Sequence, residues 1–286
     1  MKERERILKL LEDGKITADE AAKLLEALGE PLRFAHPGNR PDFGERIARK
    51  VVKGLPEMIE NSLRFMNPSN GEERELNFNP KDRFIVKAVS GDLNIKGDNE
   101  SKIRVKLQNG FKVNKTETEI ALKTTSGDLD ISLPKTQNLD IKAATGDISA
   151  SNLDAELSFR CAAGDIKLED IKGNIAVGLA SGDLNATKIS AEIKAALGFG
   201  DANIDFIECM GGKVEVGYGD ITLNLPEDSN LELTLIKPEK GSIVSEFEFE
   251  TPENIEAFKF TIGKPGTKLY LKTKNGDIII RKRRNK

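Results

Sequence analysis

A Gly-Asp dipeptide followed by an apolar residue recurs along most of the chain and limits its fold more than any other feature. Between Gly127 and Gly219 the dipeptide returns with a nearly constant period of about 18 residues. A fixed period of this length is typical of a solenoid, in which every repeat forms one coil. We predict structural corners at these dipeptides: Gly91, Asp92, Gly127, Asp128, Gly146, Asp147, Gly164, Asp165, Gly182, Asp183, Gly200, Asp201, Gly219, Asp220, Gly276 and Asp277.

Each repeat contains two short runs in which apolar and polar residues alternate. In one repeat the apolar residues are Ile166 and Leu168, then Ile175 and Val177. Alternation places successive side chains on opposite faces of a strand, so each coil should have two strands around an apolar interior. Glycine suits a corner because it adopts positive φ without a Cβ clash. The predicted fold is therefore mainly β: a single-stranded β-solenoid (β-helix) of about 18-residue coils over residues 76–286, after a small α-helical region.

The spacing of the corners leaves two gaps. The first, between Gly91 and Gly127, is two periods long and contains Gly110. The second, between Gly219 and Gly276, is three periods long and contains Gly241, which we interpret as a degraded corner. Residues 226–266 break the rhythm there and are expected to form a longer hairpin or an irregular coil. Successive coils should stack about 4.8 Å apart, with residues 76–89 capping one end and Ile278–Ile280 as the final strand at the other.

Residues 1–75 have a different pattern. Residues 1–29 are predicted to form a helical hairpin, in which Thr17 and Glu20 make a capping box for the second helix. Residues 30–75 are predicted to be a linker with an amphipathic helix, because apolar residues recur at every fourth position from Phe43 onward. A hairpin of this size buries little core by itself. It therefore needs a partner, either a second copy or the rest of the chain.

Two basic segments are candidates for contact with an anionic membrane or with a partner. They are the first half of the amphipathic helix and the C-terminal tail, since clustered Lys and Arg residues attract anionic lipid. The candidate contact residues are Phe43, Arg46, Ile47, Arg49, Lys50, Lys53, Arg281, Lys282, Arg283 and Arg284. Alternatively, the helix packs on the solenoid or on another protomer, and the tail only blunts the exposed last coil.

Composition narrows the function classes. The formal net charge of −3 argues against a nucleic-acid binder. No apolar stretch reaches the roughly 18 residues that span a bilayer, and no signal-peptide pattern follows Met1. These features predict a cytoplasmic protein that is able to contact a membrane peripherally. Cys161 and Cys209 are too far apart for a CxxC metal site and are predicted to be free thiols.

The repeated aspartates have two interpretations. Carboxylates stacked on adjacent coils repel each other, so either backbone N–H groups stabilise them or a divalent cation lies between them. We favour the structural role over weak cation binding, because the flanking glycines of Ca²⁺-binding nonapeptide solenoids are missing. His36, the only histidine, falls in the linker, and no nucleophile elbow, phosphate loop or His-metal spacing is present. The sequence therefore predicts no enzyme, no metal site and no cofactor.

Two segments resemble domains of known bacterial proteins. The run from Gly14-Lys15-Ile16-Thr17 to Glu20-Ala21-Ala22-Lys23-Leu24-Leu25 resembles the SHOCT-like hairpin at the start of LiaX/YvlB-type proteins. The Ser/Thr-Gly-Asp-Leu/Ile pattern, as in Ser126–Leu129 and Ser181–Leu184, resembles the adhesin-like β-solenoid domain that follows the hairpin in those proteins. The resemblance implies a non-enzymatic protein linked to bacterial cell-envelope stress, with no catalytic residues to carry over.

We therefore expect a non-catalytic scaffold or regulator. In this hypothesis the solenoid presents a rigid surface to a protein partner, and the N-terminal helices self-associate or dock on an anionic membrane. Nucleic acid is not an expected partner. One alternative is a structural, filament-forming or adhesive solenoid, although the charged residues 281–286 and the N-terminal region should block its ends. Another is an enzyme acting on polysaccharide, which would require a groove lined with carboxylates.

Overall fold

The computed structural model describes residues 43–53, 74–107, 110–248 and 256–284; the predicted hairpin and His36 lie outside them. Within these ranges, helix α1 spans Phe43–Val52. The first nine strands are β1 (Arg74–Phe78), β2 (Arg83–Ala88), β3 (Leu93–Asp98), β4 (Ile103–Leu107), β5 (Phe111–Lys115), β6 (Glu119–Thr124), β7 (Leu129–Pro134), β8 (Leu139–Thr145) and β9 (Ile148–Ala163). The others are β10 (Ile166–Ser181), β11 (Leu184–Phe199), β12 (Ala202–Tyr218), β13 (Ile221–Leu225), β14 (Leu231–Ile236), β15 (Ile243–Ser245), β16 (Ala257–Ile262), β17 (Thr267–Asn275) and β18 (Ile278–Lys282).

The described strands form one continuous sheet that winds into a solenoid with two faces. The long strands β9 to β12 each contribute one half to either face. The front face contains, in spatial order, β5, β6, β2, β8, the second halves of β9–β12, β17, β14 and β16. The back face contains β1, β4, β7, β3, the first halves of β9–β12, β13, β18 and β15. Neighbouring strands are parallel except towards the two ends, which confirms the predicted β-solenoid.

A glycine in the left-handed region of φ forms the first corner of each coil. All eight predicted corner glycines have positive φ, from 90° at Gly127 to 143° at Gly276. All of them except Gly127 lie against the backbone of the corner glycine in the adjacent coil, where an added Cβ would overlap a carbonyl oxygen. Gly241 has a φ of 135° and lies in the same way against Gly276. Both the dihedral angle and the lack of space therefore require glycine at this corner.

The second corner of each coil follows a different rule. Asn152 in β9, Asp170 in β10 and Lys188 in β11 have positive φ at equivalent positions of three successive repeats. Gly173, three residues further on in β10, also has positive φ, at a position where β9 and β11 have Ala155 and Ala191. Asn and Asp adopt this region more readily than most residues because their short side chains bond locally. The Asn152 amide nitrogen donates to the carbonyl oxygen of Gly97 at 2.7 Å. Because no glycine recurs at the second corner of these coils, the sequence repeat marks only the first corner.

At one end the coils do not stack in chain order, contrary to our expectation. The coil of β2 and β3 lies between that of β6 and β7 and that of β8 and β9. Gly91 consequently stacks between Gly127 and Gly146. Gly110 does not form a corner; it precedes β5, which pairs antiparallel with β6. Residues 76–89 are not one cap, because β1 pairs antiparallel with β4 at the end while β2 lies inside the stack.

At the other end of the solenoid, too, the coils do not stack in chain order. The coil of β17 and β18 lies between that of β12 and β13 and that of β14 and β15. Ile278–Ile280 is therefore an internal strand, and the prediction that it is the final one was wrong. Residues 226–266 supply the outer coil, β14 and β15, together with β16, which pairs antiparallel with β14. On the front face the stack thus ends in the antiparallel strand β16, and on the back face it ends in the short parallel strand β15.

One hydrophobic core runs along the whole solenoid. Its strands alternate buried and partly exposed residues, as β13 does over Ile221–Leu225. Aliphatic side chains fill most of it, and Phe84, Phe159 and Phe206 are completely buried. Full burial of one such side chain contributes about 1.5–3 kcal/mol. The interior between the two faces is narrow, which explains how a chain with only 5% aromatic residues fills its core.

Cys161 and Cys209 are both buried and are not joined in a disulfide, and we expect the Cys209 thiol to be unreactive near neutral pH. Burial raises its pKa to about 11, against the opposing effect of a hydrogen bond from the Gly211 backbone. Since the unfolded thiol ionises near 9.0, this group stabilises the fold fully below that pH, and its contribution is lost as the pH rises through about 11. Iodoacetamide labelling followed by mass spectrometry should therefore be negligible at pH 8 and increase towards pH 11. Labelling at pH 8 as fast as in urea would contradict this.

Candidate binding surface

Helix α1 packs on the front face of the solenoid through its apolar side. Ile47, Ala48, Val51 and Val52 form a separate cluster with alanines of β9 and β10. The alanines are Ala162, Ala163 and Ala180, and Phe43 and Ala196 lie at its edge. The helix contacts β9, β10, β11 and β12 and so crosses four coils. The helix is thereby docked on the side of the solenoid.

Small residues in the solenoid make room for α1. Two residues before the corner glycine, four consecutive coils have Ala162, Ala180, Gly198 and Gly217. A Cβ on Gly217 would overlap the Cα of Gly44 in the helix, so the two backbones approach as closely as glycine allows. This column was not predicted, although small residues that recur at an outward-facing position of successive coils are visible in the sequence.

The dimensions of a helix and of a solenoid match along this contact. The ten residues of α1 extend about 15 Å at 1.5 Å per residue. Three strand spacings of about 4.8 Å cover nearly the same length. One helical turn therefore advances by about one coil, and the residues on the inner side of α1 meet successive coils. Gly44 lies at Gly198 and Gly217, Ala48 at Gly198, and Val51 at Gly178.

Replacing Gly178 by leucine should release α1 from the solenoid. A Cβ at this position would lie 3.2 Å from Cγ2 of Val51, whereas the nearest solenoid atom is Cγ of Arg160 at 3.8 Å. The larger side chain therefore collides with the helix first. We expect amide hydrogen exchange over residues 43–53 to become at least tenfold faster, because undocking exposes the backbone.

Ala176→Leu is the matched control for that substitution. Ala176 lies on the same strand and face but is exposed. We expect exchange over residues 43–53 to be unchanged in this variant. Equal protection of α1 in Gly178→Leu and the wild type would show that the contact with Gly178 does not hold the helix.

The predicted contact residues of α1 divide into two groups. Phe43 and Ile47 face the solenoid, with Lys272 Nζ 4.1 Å from the Phe43 ring centroid, so they are not available to enter a membrane. The helix thus packs on the solenoid, which was the alternative left open by the sequence, and contact of the candidate residues with a membrane or a partner stays a prediction. Arg46, Arg49, Lys50 and Lys53 are exposed, and Arg49 pairs with Glu45 at 3.7 Å. No helix within the described ranges combines the length and apolar character needed to cross a membrane.

The basic tail is largely engaged with acidic groups of the solenoid. Arg283 Nε donates to Oδ1 of Asp205 at 3.1 Å, and both side chains are about three-quarters buried, at 25% and 24% exposure. Lys282 Nζ lies 4.0 Å from Glu227 and over the Phe247 ring. Arg281 and Arg284 are exposed. Because β18 is internal, the tail does not cover the last coil.

The corner aspartates form a continuous hydrogen-bonded ladder. At each rung a backbone N–H group donates to Oδ1 of the corner aspartate in the adjacent coil, at 2.7–2.9 Å. The donor and acceptor pairs are Asp92 to Asp128, Asp147 to Asp92, Asp165 to Asp147, Asp183 to Asp165, Asp201 to Asp183, Asp220 to Asp201, Asp277 to Asp220 and Ser242 to Asp277. A charged acceptor strengthens such bonds. The N–H groups thus supply the stabilisation that stacked carboxylates need. Nowhere in the described ranges do three or more His, Cys, Asp or Glu side chains form a group that could hold a metal ion.

A ladder of basic residues crosses the front face beside α1. Its rungs face each other in strand register, from β5 through β6, β2 and β8 to β9. They are Lys112, Lys123, Lys87, Lys142 and Arg160. In the next two coils the same column continues with Gly178 and Ala196, over which α1 lies. For every rung except Lys112, the sequence signal was a basic residue four positions before a corner glycine, which we did not single out.

Several solved structures are similar to this chain at low sequence identity. A "putative cell adhesion protein" from Clostridium sporogenes is 14% identical, with 76% of this chain and 100% of that chain covered and a TM-score of 0.33. A "putative adhesin" from Bacteroides fragilis is 14% identical, with 74% and 98% covered and a TM-score of 0.32. Another from Parabacteroides merdae is 11% identical, with 75% and 98% covered and a TM-score of 0.25.

Two protein-family models match the chain itself. A SHOCT-like domain model matches residues 2–32, which agrees with the resemblance of the N-terminal segment. The model described as Toastrack DUF4097 matches residues 63–281 and so includes the whole run of Gly-Asp corners. The comparison with curated proteins gave no match. Because its solenoid region matches over most of the length, the chain belongs to the Toastrack DUF4097 family.

Proposed function

We propose that this protein is a non-catalytic scaffold or regulator in a bacterial response to cell-envelope stress. The docking of α1 across four coils is the observation that carries the proposal. In this proposal α1, which begins at Phe43 shortly after the SHOCT-like match at residues 2–32, is the docked segment that links that domain to the solenoid. The order of the two modules is that of the LiaX/YvlB-type proteins that the sequence resembles.

The role of the N-terminal domain in this proposal is association. Its two predicted helices carry apolar stripes that about 25 residues cannot bury alone. The first stripe is Ile7, Leu8, Leu10 and Leu11, and the second is Ala21, Ala22, Leu24, Leu25 and Leu28. The side of α1 that faces away from the solenoid is polar and basic, at Arg46, Arg49 and Lys50, so α1 offers no second apolar surface. A second copy of the domain, or a protein partner, would bury the stripes. The rigid solenoid would then fix the distance and orientation between a partner bound to the N-terminal domain and a partner bound to the solenoid surface.

The ends of the solenoid support this scaffold role over the filament alternative. Parallel coils polymerise when a parallel strand is left unpaired at each end. Here antiparallel strands follow the outer coil on both faces at one end, namely β5 and the β1–β4 pair. At the other end β16 is antiparallel on the front face, and the parallel edge strand on the back face, β15, is only three residues long. The carboxylates also form a row on a corner with their Oδ1 atoms engaged by N–H groups, which favours a structural role over a catalytic one.

Charge substitutions in the predicted apolar stripes should abolish self-association of the full chain. Leu10→Glu combined with Leu25→Glu places two carboxylates in surfaces that the proposal buries, and an unpaired buried charge is strongly unfavourable. Sedimentation equilibrium should show a concentration-dependent oligomer for the wild type and a monomer for this variant. Lys9→Glu, at a polar position of the first predicted helix, should associate like the wild type. A wild type that stays monomeric over the whole concentration range would overturn the self-association.

A further inference from the structure

The basic ladder is a straight, single-file row of positive charge. Because each rung comes from a neighbouring strand, the spacing is about 4.8 Å, and four spacings extend about 19 Å along the solenoid axis. Lys123, Lys87 and Lys142 are half-buried, so their aliphatic stems lie along the sheet with the ammonium groups at its surface. Arg160, the last rung before α1, is exposed.

The charges of the ladder are only partly neutralised within the molecule. Lys142 pairs with Asp140 at 3.2 Å. At Lys87, burial lowers the pKa of the ammonium group, followed by repulsion from Lys142 and Lys123; the attractions of Asp140 and Glu119 are smaller. The fold therefore holds these cations together at an electrostatic cost. An external anion placed along the ladder would remove that cost.

The shape of the surface favours a single polymer chain over a flat bilayer. The next column on the same face contains Ala121, Ile85, Asp140 and Ser158, so the positive charge is one residue wide. Helix α1 stands on the sheet beside Arg160 and would hold a planar membrane away from the ladder. The apolar residues of α1 face the solenoid, whereas a helix that binds in the membrane interface needs them free to insert.

We propose that this ladder binds one chain of an acidic polysaccharide, laid along the solenoid axis with one carboxylate at each rung. The charge complementarity is direct, and a sugar ring is about as long as the distance between two neighbouring strands. A polymer with one carboxylate per sugar therefore presents its charges in step with the coils. Lysine ammonium groups act as point charges with rotatable donors, which tolerate small differences in the position of each carboxylate. This activity is independent of the self-association proposed for the N-terminal domain.

The test measures binding of oligogalacturonides to the full-length protein by isothermal titration calorimetry. We expect the octasaccharide to bind more tightly than the disaccharide, because the longer chain occupies more rungs. The variant Lys87→Gln/Lys123→Gln/Lys142→Gln should lose on the order of tenfold or more in affinity. The slope of log Kd against log salt concentration should be smaller for this variant than for the wild type by roughly two to three, because three contacts no longer release counterions.

Lys167→Gln/Lys194→Gln/Lys268→Gln is the matched control, since it removes the same charge from exposed lysines outside the ladder. It should bind like the wild type. In NMR titrations of the lysine side chains, octasaccharide should raise the pKa of Lys87 towards its ordinary value. Both variants should unfold at the wild-type temperature by circular dichroism, which separates loss of binding from loss of fold.

Three outcomes would overturn the proposal. The first is that the wild type binds no oligogalacturonide at low salt. The second is an equal loss of affinity in the ladder and control variants, which would mean a response to net charge alone. The third is ladder-dependent binding to phosphatidylglycerol vesicles that exceeds binding to the octasaccharide, which would assign the ladder to a membrane. None of these depends on residues 1–42, so failure here leaves the self-association experiment unaffected.

Discussion

Replacing Gly200 by alanine is expected to lower the free energy of unfolding by about 3 kcal/mol or more. Gly200 has a φ of 126°, which side-chain-bearing residues rarely adopt. An added Cβ would overlap the carbonyl oxygen of Gly182 in the next coil and would lie 2.9 Å from Oδ1 of Asp183. Neither contact is relieved by rotating a side chain, because the first is to backbone and the second belongs to a hydrogen bond of the ladder. Urea unfolding monitored by circular dichroism gives the change directly.

Gly178→Ala is the control for a glycine-to-alanine change in the same solenoid. Gly178 is not among the glycines with positive φ. Its added Cβ would approach the flexible Val51 side chain first, at 3.2 Å. We expect its unfolding free energy to stay within about 1 kcal/mol of the wild type. A similarly small effect at Gly200 would mean that the corner relaxes to another conformation, and that its glycine is not a requirement of the stack.

Replacing Asp165, Asp183 and Asp201 together by alanine is expected to cost about 3 kcal/mol or more. Each of these side chains accepts a backbone N–H from the next coil, at 2.8–2.9 Å. Removing the acceptors leaves three N–H groups without partners at a tightly packed corner, and each such group typically costs about 1–3 kcal/mol. Partial access of water at the corner keeps the total towards the lower end of the sum. Urea unfolding of the triple variant measures the loss.

The triple asparagine variant separates hydrogen bonding from charge. Asparagine keeps an oxygen at the position of Oδ1 and removes the repulsion between stacked carboxylates. We therefore expect it to be at least as stable as the wild type, and less responsive to added salt. If asparagine were as damaging as alanine, and if Ca²⁺ raised the melting temperature of the wild type alone, then the carboxylates would hold a cation and the hydrogen-bonded interpretation of the ladder would be wrong.

The coil itself was predictable because it depends on local periodicity. Alternation of apolar and polar residues places Ile166 and Leu168 inside, and the recurring glycine marks the corner that requires positive φ. The second corner was not predictable from the same reasoning. Asn152 and Lys188 adopt left-handed φ there because the hydrogen bonds of the adjacent coils impose it, and nothing in their local sequence demands it.

The candidate surface was predicted only in part. The amphipathic pattern of residues 43–52 correctly gave a helix with one apolar side. Periodicity does not say what covers that side, and membrane, partner and solenoid were all compatible with it. The column of Ala162, Ala180 and Gly198 decides for the solenoid, because only small residues allow a helix to lie directly on a sheet whose face is otherwise lined by longer side chains.

By itself, the sequence determined the coil length, the inward and outward residues of each strand, and the positions of the glycine corners. Only the tertiary structure decided which coils are neighbours. Lys87 is distant in the sequence from both Lys123 and Lys142, yet the three are adjacent rungs because the coil of β2 and β3 lies between the other two. Every coil has nearly the same local pattern and offers similar backbone hydrogen bonds to any other. The choice among them therefore depends on chain connectivity and on packing at the ends of the stack, which no local pattern contains.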